Sequence, residues 1–587
     1  VAKASPIQNS FNAGELSPQL RGRVDLSKYK NGCETLENFL PQVFGPAQKR
    51  PGTRFVRATK FGTQRSRLIP FEFSDTQSFA LEFGDEYIRF HTAGGTVLQG
   101  SPAAYNGATA YTVGDLVSSG GVNYYCIAAT TGNAPPNATY WYAQPASGEY
   151  EIPSPYTDTD VQALNFAQSA DVIYIAHPDH EPQKLARFGA TEWTISAVEF
   201  TRPPFNDRNV GSTTLTASAT TGNITLTASA SLFTTDDVGR FYSIAVIPES
   251  FYTAWAASTA ITAGAFRQNQ GRVYQAANSA TTGTRPPLHI SGTESDGGVS
   301  WTYVGDGTGY VEVTGFTSAT QVNATVIQTL PTTSATTRWA TAAWSDVDGW
   351  PRTVVFYEDR LWFAGSAAKP QTLWASVVGD YENHTYGTND DDALNFTINT
   401  QDLNTINWLS PGKVLAIGTS SGEFTISANQ INEAITPTNV RVIPQTTYGS
   451  TGTVRPLRVA SSTLFVQRAG RKVREYTFSF EIDAYVAPNL TLLSEHITKT
   501  GIADMAYQQE PVQVVWTPRV DGTLLGMTYE RAEEVVGWHR HDVGGAVESV
   551  VALPHWDGDQ DALWLIVKRT IDGDDVRYIE YLEKYLM

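Results

Sequence analysis

The residues best suited to chemistry fall in four places. Asp390, Asp391 and Asp392 stand together in a Gly/Asn-rich stretch, with Asp380 and Glu382 a few residues before them. Carboxylates grouped in this way can ligate Ca²⁺, act as the acid pair of a glycosidase or present a negative face to a polyanion. The plain alternative is a solvated loop. His177 and His180, in Ala-His-Pro-Asp-His-Glu-Pro, are the most ligand-like pair, but the prolines put them in a turn after an apolar strand and not on one helix face. His539 and His541 alternate around Arg540 on a strand and are expected at the surface. Gly418-Thr-Ser420-Ser-Gly422 matches the nucleophile elbow literally. That motif needs a strand-to-helix turn, and here the flanks read as the two arms of a hairpin. There is no Gly-x-x-x-x-Gly-Lys phosphate loop and no His-Glu-x-x-His zinc helix. The expectation is a chain that is not an enzyme, with no catalytic residue, metal or cofactor.

The elements that would carry these residues are mostly strands. Apolar runs bounded by turn residues recur at 67–91, 161–177, 353–377, 405–427, 456–478, 502–531 and 548–583. Each block reads as two to four short strands around a tight turn, the pattern of a β-propeller blade. The expected fold is mainly β: a β-propeller-like domain assembled from N- and C-terminal halves, with inserted small β modules and an N-terminal segment containing a short helix. Leu26, Tyr29, Cys33, Leu36 and Leu40 recur at spacings of three or four, which predicts that helix within 25–40, weakened by Gly32 and ended by Pro41. The expected divisions are a docking segment at 1–66, blade-like β structure at 67–103 and 148–201, a small aromatic module at 104–147, an inserted β region at 202–350 and further blades at 351–587.

Two segments repeat one pattern. Gly114 and Gly121 match Gly264 and Gly271, Tyr124 matches Tyr274, Thr130-Thr131-Gly132 matches Thr281-Thr282-Gly283, and each copy closes on a tryptophan, Trp141 or Trp301. The second copy, within 254–305, has Ala265 after its first glycine and Gln275 where Tyr125 stands. The first copy resembles the small chitin-binding type of carbohydrate module, which lays aromatic faces on sugar rings. The resemblance implies Tyr111, Tyr124, Tyr125, Trp141, Tyr274 and Trp301 as candidate contacts to a glycan or partner. The alternative is that these rings are the cores of two small β modules.

The chain has 587 residues, a net charge of −18 and 41% apolar residues, which excludes a disordered chain and suggests several cores. Charge is uneven. Residues 1–70 hold twelve Lys/Arg against four Asp/Glu, or +8, and the rest carries −26. A body this acidic argues against a protein that grips nucleic acid. The basic head is expected to pack on the acidic body of its own or a neighbouring chain. No run of 18 apolar residues and no signal-peptide core occurs, so neither a membrane span nor secretion is expected. Two cysteines, Cys33 and Cys126, with no close partner motif, form neither a disulfide framework nor a zinc site and suit synthesis in a reducing cytoplasm.

The most specific run is Ser10-Phe11-Asn12-Ala13-Gly14-Glu15-Leu16-Ser17-Pro18, continuing through Arg23-Val-Asp-Leu-Ser-Lys-Tyr and Asn38-Phe39-Leu40-Pro41 to Gln48-Lys49-Arg50-Pro51-Gly52-Thr53. It resembles the start of the tail nozzle proteins of short-tailed bacteriophages, the tail tubular protein B-like group. Val354-Val-Phe-Tyr-Glu-Asp-Arg-Leu-Trp-Phe-Ala-Gly-Ser is similar to propeller strands of that family. The resemblance implies a virion protein that forms a homohexameric ring at the distal end of the tail tube. The ring would join a tail adaptor protein, could carry fibres or spikes, and would let double-stranded DNA pass. Candidate adaptor-docking residues are then Phe11, Asn12, Gly14, Glu15, Leu16, Arg21, Arg23, Lys49, Arg50 and Pro51, and candidate channel-facing acids are Asp390, Asp391, Asp392 and Asp402. A tail-associated glycan-binding receptor protein and a propeller enzyme that degrades polysaccharide are the competing readings.

Overall fold

A computed structural model describes residues 8–74, 76–400, 403–430 and 433–585. Two compact units result. One takes the described residues up to Glu199, Pro351–Glu382 and those from Tyr386 onward, and the other takes Phe200–Trp350 with Asn383–Thr385.

The first unit is a β-propeller of seven blades, each with four antiparallel strands in up-and-down order. Two blades precede residue 200 and five follow residue 350. Blade 1 holds Arg67–Glu72, Ser78–Gly84, Tyr87–Thr92 and Glu151–Pro153, so residues 93–150 are an insertion before its last strand. Blade 2 runs Asn165–Ser169, Val172–His177, His180–Gly189 and Glu192–Ala197. Blades 3, 4 and 5 begin at Thr353–Tyr357, Ile406–Ser410 and Leu457–Val459. Blade 6 runs Ala506–Gln508, Val514–Pro518, Leu524–Glu530 and Val535–His541. First strands of blades 2 and 3, 3 and 4, 5 and 6, and 6 and 7 pack side by side, and so do those of blades 7 and 1, which joins the two ends of the ring.

Packing explains why many strands read as unbroken apolar runs. Arg360–Ala364, Leu415–Thr419, Ser462–Val466 and Val514–Pro518 are buried at every position, because a blade is covered on both faces by its neighbours. Between blades 1 and 2, Trp193 is fully buried against Phe71, Phe79 and Phe90, with ring centroids 4.8, 5.5 and 4.6 Å away. Blade 7 supplies only three strands from the C-terminal end: Ala546–Pro554, Asp561–Ile571 and Asp574–Leu582. Its fourth is Thr53–Ala58, paired antiparallel with Asp574–Leu582. The N-terminal strand therefore latches the ring and covers an edge that would otherwise be open.

In the second unit a six-stranded sheet is ordered Leu215–Ala217, Asn223–Ala228, Gln321–Gln328, Thr308–Ser318, Phe241–Ala245, Trp339–Thr341. Leu226, Tyr242, Ile244, Val311 and Val322 form its core.

The helix expected within 25–40 is not formed. Ser27–Asn31 make one 3-10 turn, and Gly32–Cys33 and Phe39–Pro41 are strands. The reason is tertiary. Gly14–Glu15 and Gly32–Cys33 pair parallel with each other, and Gly14 pairs with Trp538 at the outer edge of blade 6. A Cβ at Gly32 would lie 2.5 Å from Leu16 Cγ, so the segment hugs its neighbour as no helix could. Among the described residues no helix is long and apolar enough to cross a membrane.

Candidate functional site

The N-terminal run forms a strap across the outer strand of blade 6. Its anchor is Glu15, 1% exposed. Its carboxylate accepts hydrogen bonds from Leu36 N at 2.9 Å and Arg540 Nε at 3.0 Å, and pairs with His496 Nε2 at 2.8 Å. Ser494 Oγ donates to the Glu15 carbonyl. Gly14 has φ +67°, and a Cβ there would strike the Trp538 backbone. Leu16 is buried. Arg50 donates to the Asp542 carbonyl at 2.9 Å. Further along, Arg54 pairs with Glu583, Arg57 with Glu149, Lys60 with Glu151 and Arg65 with Glu548. The basic head thus packs on its own acidic body. Gly14, Glu15 and Leu16 are buried within the chain, which corrects their assignment as docking residues, whereas Arg50 is half-buried. Arg21 and Arg23 have exposed side chains, paired with Glu34 and Asp25. Lys49 is also exposed, and Phe11, Asn12 and Pro51 are half-buried.

The aromatic repeat is real in structure, and its rings face inward. Leu116–Ser119, Val122–Cys126 and Trp141–Ala143 form the sheet of the first copy. Phe266–Asn269, Arg272–Ala276 and Val299–Gly305 form that of the second, with Thr293–Asp296 added. Tyr124, Tyr125, Trp141, Tyr274 and Trp301 are all buried. Their faces are covered by their own modules, so the assignment of these five as glycan contacts is corrected. Tyr111 is half-buried and packs edge-on to Trp141 at 5.3 Å. Tyr125 goes further. It joins the core of blades 1 and 2 and donates from Oη to the Trp193 carbonyl at 2.8 Å, anchoring the first module to the propeller. In the second copy Gln275 replaces that anchor and is half-buried.

Asp390, Asp391 and Asp392 lie in the connection before the last strand of blade 3, Leu394–Thr397, on the side away from the ring's middle. Asp390 and Asp391 are exposed. What organises the loop is Arg360, 1% exposed, whose guanidinium donates to the carbonyls of Ser376, Asp390 and Asp392 at 2.7 Å each. Asp392 Oδ2 also accepts from Asn389 N at 2.8 Å. The backbone of these acids is structural and two of their carboxylates are free. Asp402 lies outside the described residues. Asp390→Asn is expected to change stability by less than about 0.5 kcal/mol. Arg360→Ala, which strands the buried Ser376 carbonyl and two part-buried ones and empties a 1% exposed site, is expected to cost about 3 kcal/mol. Urea unfolding of both variants checks the contrast.

Ser420 lies in the hairpin between Leu415–Thr419 and Glu423–Ala428, not at a strand-to-helix turn. His177 and His180 are joined by Asp160, the three offering ligand atoms within 4.8 Å of one another. Their nitrogens are nevertheless committed. His177 Nδ1 accepts from Asp179 N at 3.1 Å, and His180 Nε2 hydrogen-bonds Asp160 Oδ2 at 3.0 Å. In the neutral tautomer that this implies, His177, 3% exposed, bears its proton on Nε2. Burial pushes His177 down to about 4, so it is uncharged at neutral pH. His539 and His541 are not at the surface as expected. They are 0% and 2% exposed, because Trp516 packs against both rings and Pro41 of the strap covers the same face of the sheet.

Groups at the starts of several inner strands meet near the middle of the propeller. Arg455, just ahead of blade 5, lays its guanidinium 3.6 Å from the ring centroid of Phe166 in blade 2 and donates to the Phe166 carbonyl at 2.8 Å. Arg67 Nη1 reaches the carbonyls of Val161, Gln162 and Leu164. The space these residues enclose is too narrow for water. Sequence reasoning missed this cluster. Its signal was an arginine at or just before the first strand of blades 1, 3 and 5: Arg67, Arg352 and Arg455.

No family model and no curated protein matches the sequence. Among solved structures, U3-55K aligns over 71% of this chain and 95% of its own at 9% identity and TM-score 0.27. BamB from Moraxella catarrhalis aligns over 59% and 97% at 10% identity and TM-score 0.23. The Pan2 WD40 domain of Neurospora crassa aligns over 61% and 99% at 9% identity and TM-score 0.21. The propeller assignment rests on the strand pairing of this chain itself.

Proposed function

We propose that the chain is a structural subunit of the tail nozzle of a short-tailed bacteriophage, located in the virion tail and assembled as a homohexameric ring through which the genome leaves. The observation that carries this reading is the N-terminal run from Ser10 to Thr53, whose resemblance to nozzle proteins is the most specific in the chain. The same run is a strap that leads straight into the latch strand of the propeller. Arg67, Arg455 and Phe166 meet near the middle of the propeller and leave no passage of a duplex's width between them. A conduit would therefore be a space between copies, with each propeller acting as wall. Acidic walls suit that task, since repulsion keeps a sliding polyanion from sticking. The exposed Arg21, Arg23 and Lys49 of the strap remain available to an adaptor ring.

Negative-stain microscopy of the purified full chain tests the reading. The expected image is a six-fold ring with an axial hole wide enough for a DNA duplex. A monomer or trimer at all concentrations, without rings, would overturn it.

A further inference from the structure

We propose that the closed mouth at the propeller axis is a binding site for a phosphate group, gripped by Arg352 and Arg455 with Arg67 behind them. The site is separate from ring assembly and does not depend on it. Three guanidiniums meet there. Arg67 and Arg455 line one space with Asn165, Asn407 and Gly452. Arg352 Nη1 lies 3.5 Å from the place a Cβ on Gly452 would take, beside Asn407 Oδ1.

Many arginines of the chain are matched to a carboxylate, whereas these three, like Arg360, are not. Arg89 is matched to Glu151, Arg240 to Asp237 and Asp348, Arg569 to Glu580 and Arg577 to Glu548. Among the described residues none of the three axial arginines forms an ion pair. Arg67 and Arg455 have backbone carbonyls and a phenyl ring, and Arg352 Nε is buried with no partner at all. Burial holds Arg352 below the ordinary arginine range and pushes Arg455 down to about 9, against the opposing pull of Asp179 on the first and Asp504 on the second. Positive charge is thus partly withdrawn from water with no carboxylate in direct contact, in a chain whose net charge is −18.

An anion bound there would repair the deficit. Phosphate fits better than carboxylate, because its tetrahedral oxygens can accept from two guanidinium forks at once and it carries up to two charges. The enclosed space is too narrow for water, so the phosphate sits on the outward edges of Arg352 and Arg455, both half-buried. A free phosphate and the phosphodiester of a nucleic acid share this chemistry.

Thermal unfolding of the full chain, titrated with inorganic phosphate against chloride at constant ionic strength, decides the first point. The expected result is a saturable rise in Tm with phosphate alone. Arg352→Gln and Arg455→Gln should each weaken it about tenfold, and Arg455→Lys, which keeps the charge but loses the fork, should weaken it as well. Circular dichroism without phosphate confirms that the variants fold. Competition by a short DNA duplex assigns the phosphate to nucleic acid, and its absence assigns it to the free ion. No phosphate-specific shift in the unaltered chain, or an equal shift in both Gln variants, overturns the proposal.

Discussion

Glu15→Ala is expected to release the strap and cost about 3–5 kcal/mol, the range for removing one partner of a buried ion pair. Glu15 is 1% exposed and its two carboxylate oxygens serve three donors, Leu36 N, Arg540 Nε and His496 Nε2. Alanine leaves a buried N–H unpaired and removes the counter-charge of Arg540, whose side chain is 34% exposed. The loss spreads, because the strap runs directly into the latch strand Thr53–Ala58. Opening at Glu15 lengthens the free segment ahead of that latch and weakens ring closure. Two measurements separate local from global loss: the urea midpoint, and the rate at which trypsin cuts at Arg21, Arg23, Lys28 and Lys30. Both should move together, and Glu15→Gln, which keeps the acceptor for Leu36, should fall between. A Glu15→Ala chain with unchanged midpoint and unchanged cleavage would show that the strap is held by its apolar contacts alone.

How much of this could be read beforehand follows from where each residue finds its partner. The blades were legible because their strands pair with sequence neighbours across tight turns. Val354–Tyr357 and Arg360–Ala364 are one hairpin, and the pattern needs no distant information. The latch was not legible, since the strand at Thr53 finds its partner at Leu582, at the far end of the chain. The spacing of Leu26, Tyr29, Cys33 and Leu36 predicted a helix because apolar periodicity is counted without knowing that the outer edge of blade 6 lies open beside it. That edge takes the segment as added strand. The aromatic modules show the limit from the other side. Tyr124, Trp141, Tyr274 and Trp301 have the composition of a sugar platform and of a mini-core alike, and only burial separates the two. The axial arginines come from three different blades, so no local window holds them together.

Lowering the pH from 6.5 to 5 is expected to destabilise the chain by about 2 kcal/mol for each of His539 and His541. The two rings meet with His539 Nδ1 2.6 Å from His541 Nε2. One proton fits between them. The arrangement that leaves no buried N–H bare has His541 Nε2 donating to His539 Nδ1, and His539 Nε2 facing Thr528 Oγ1 at 3.4 Å. Thr528 in turn donates to the Pro41 carbonyl of the strap at 2.9 Å. A second proton would set N–H against N–H, and His541 Nδ1 has no partner to share one. Burial accordingly pushes His539 down to about 3 and His541 well below its ordinary value of 6.5. Both folded-state values lie below the unfolded one, so the unfolded chain binds the protons that the folded chain refuses. Stability is then full above about pH 6.5 and falls as pH drops through the unfolded value toward the folded one. Each histidine contributes a slope of about 1.4 kcal/mol per pH unit. Carboxylates held low, such as Asp521 at about 2, act only in more acid solution. His177, at about 4, adds a slope of the same sign. A His539→Gln/His541→Gln chain isolates the pair: its slope of unfolding free energy between pH 6.5 and 5 should be shallower by about two protons. An unchanged slope would place the acid sensitivity elsewhere. Because the relay ends on Pro41, hydrogen exchange of the strap amides from Leu36 to Leu40 should quicken on acidification in the unaltered chain before blades 3 and 4 respond.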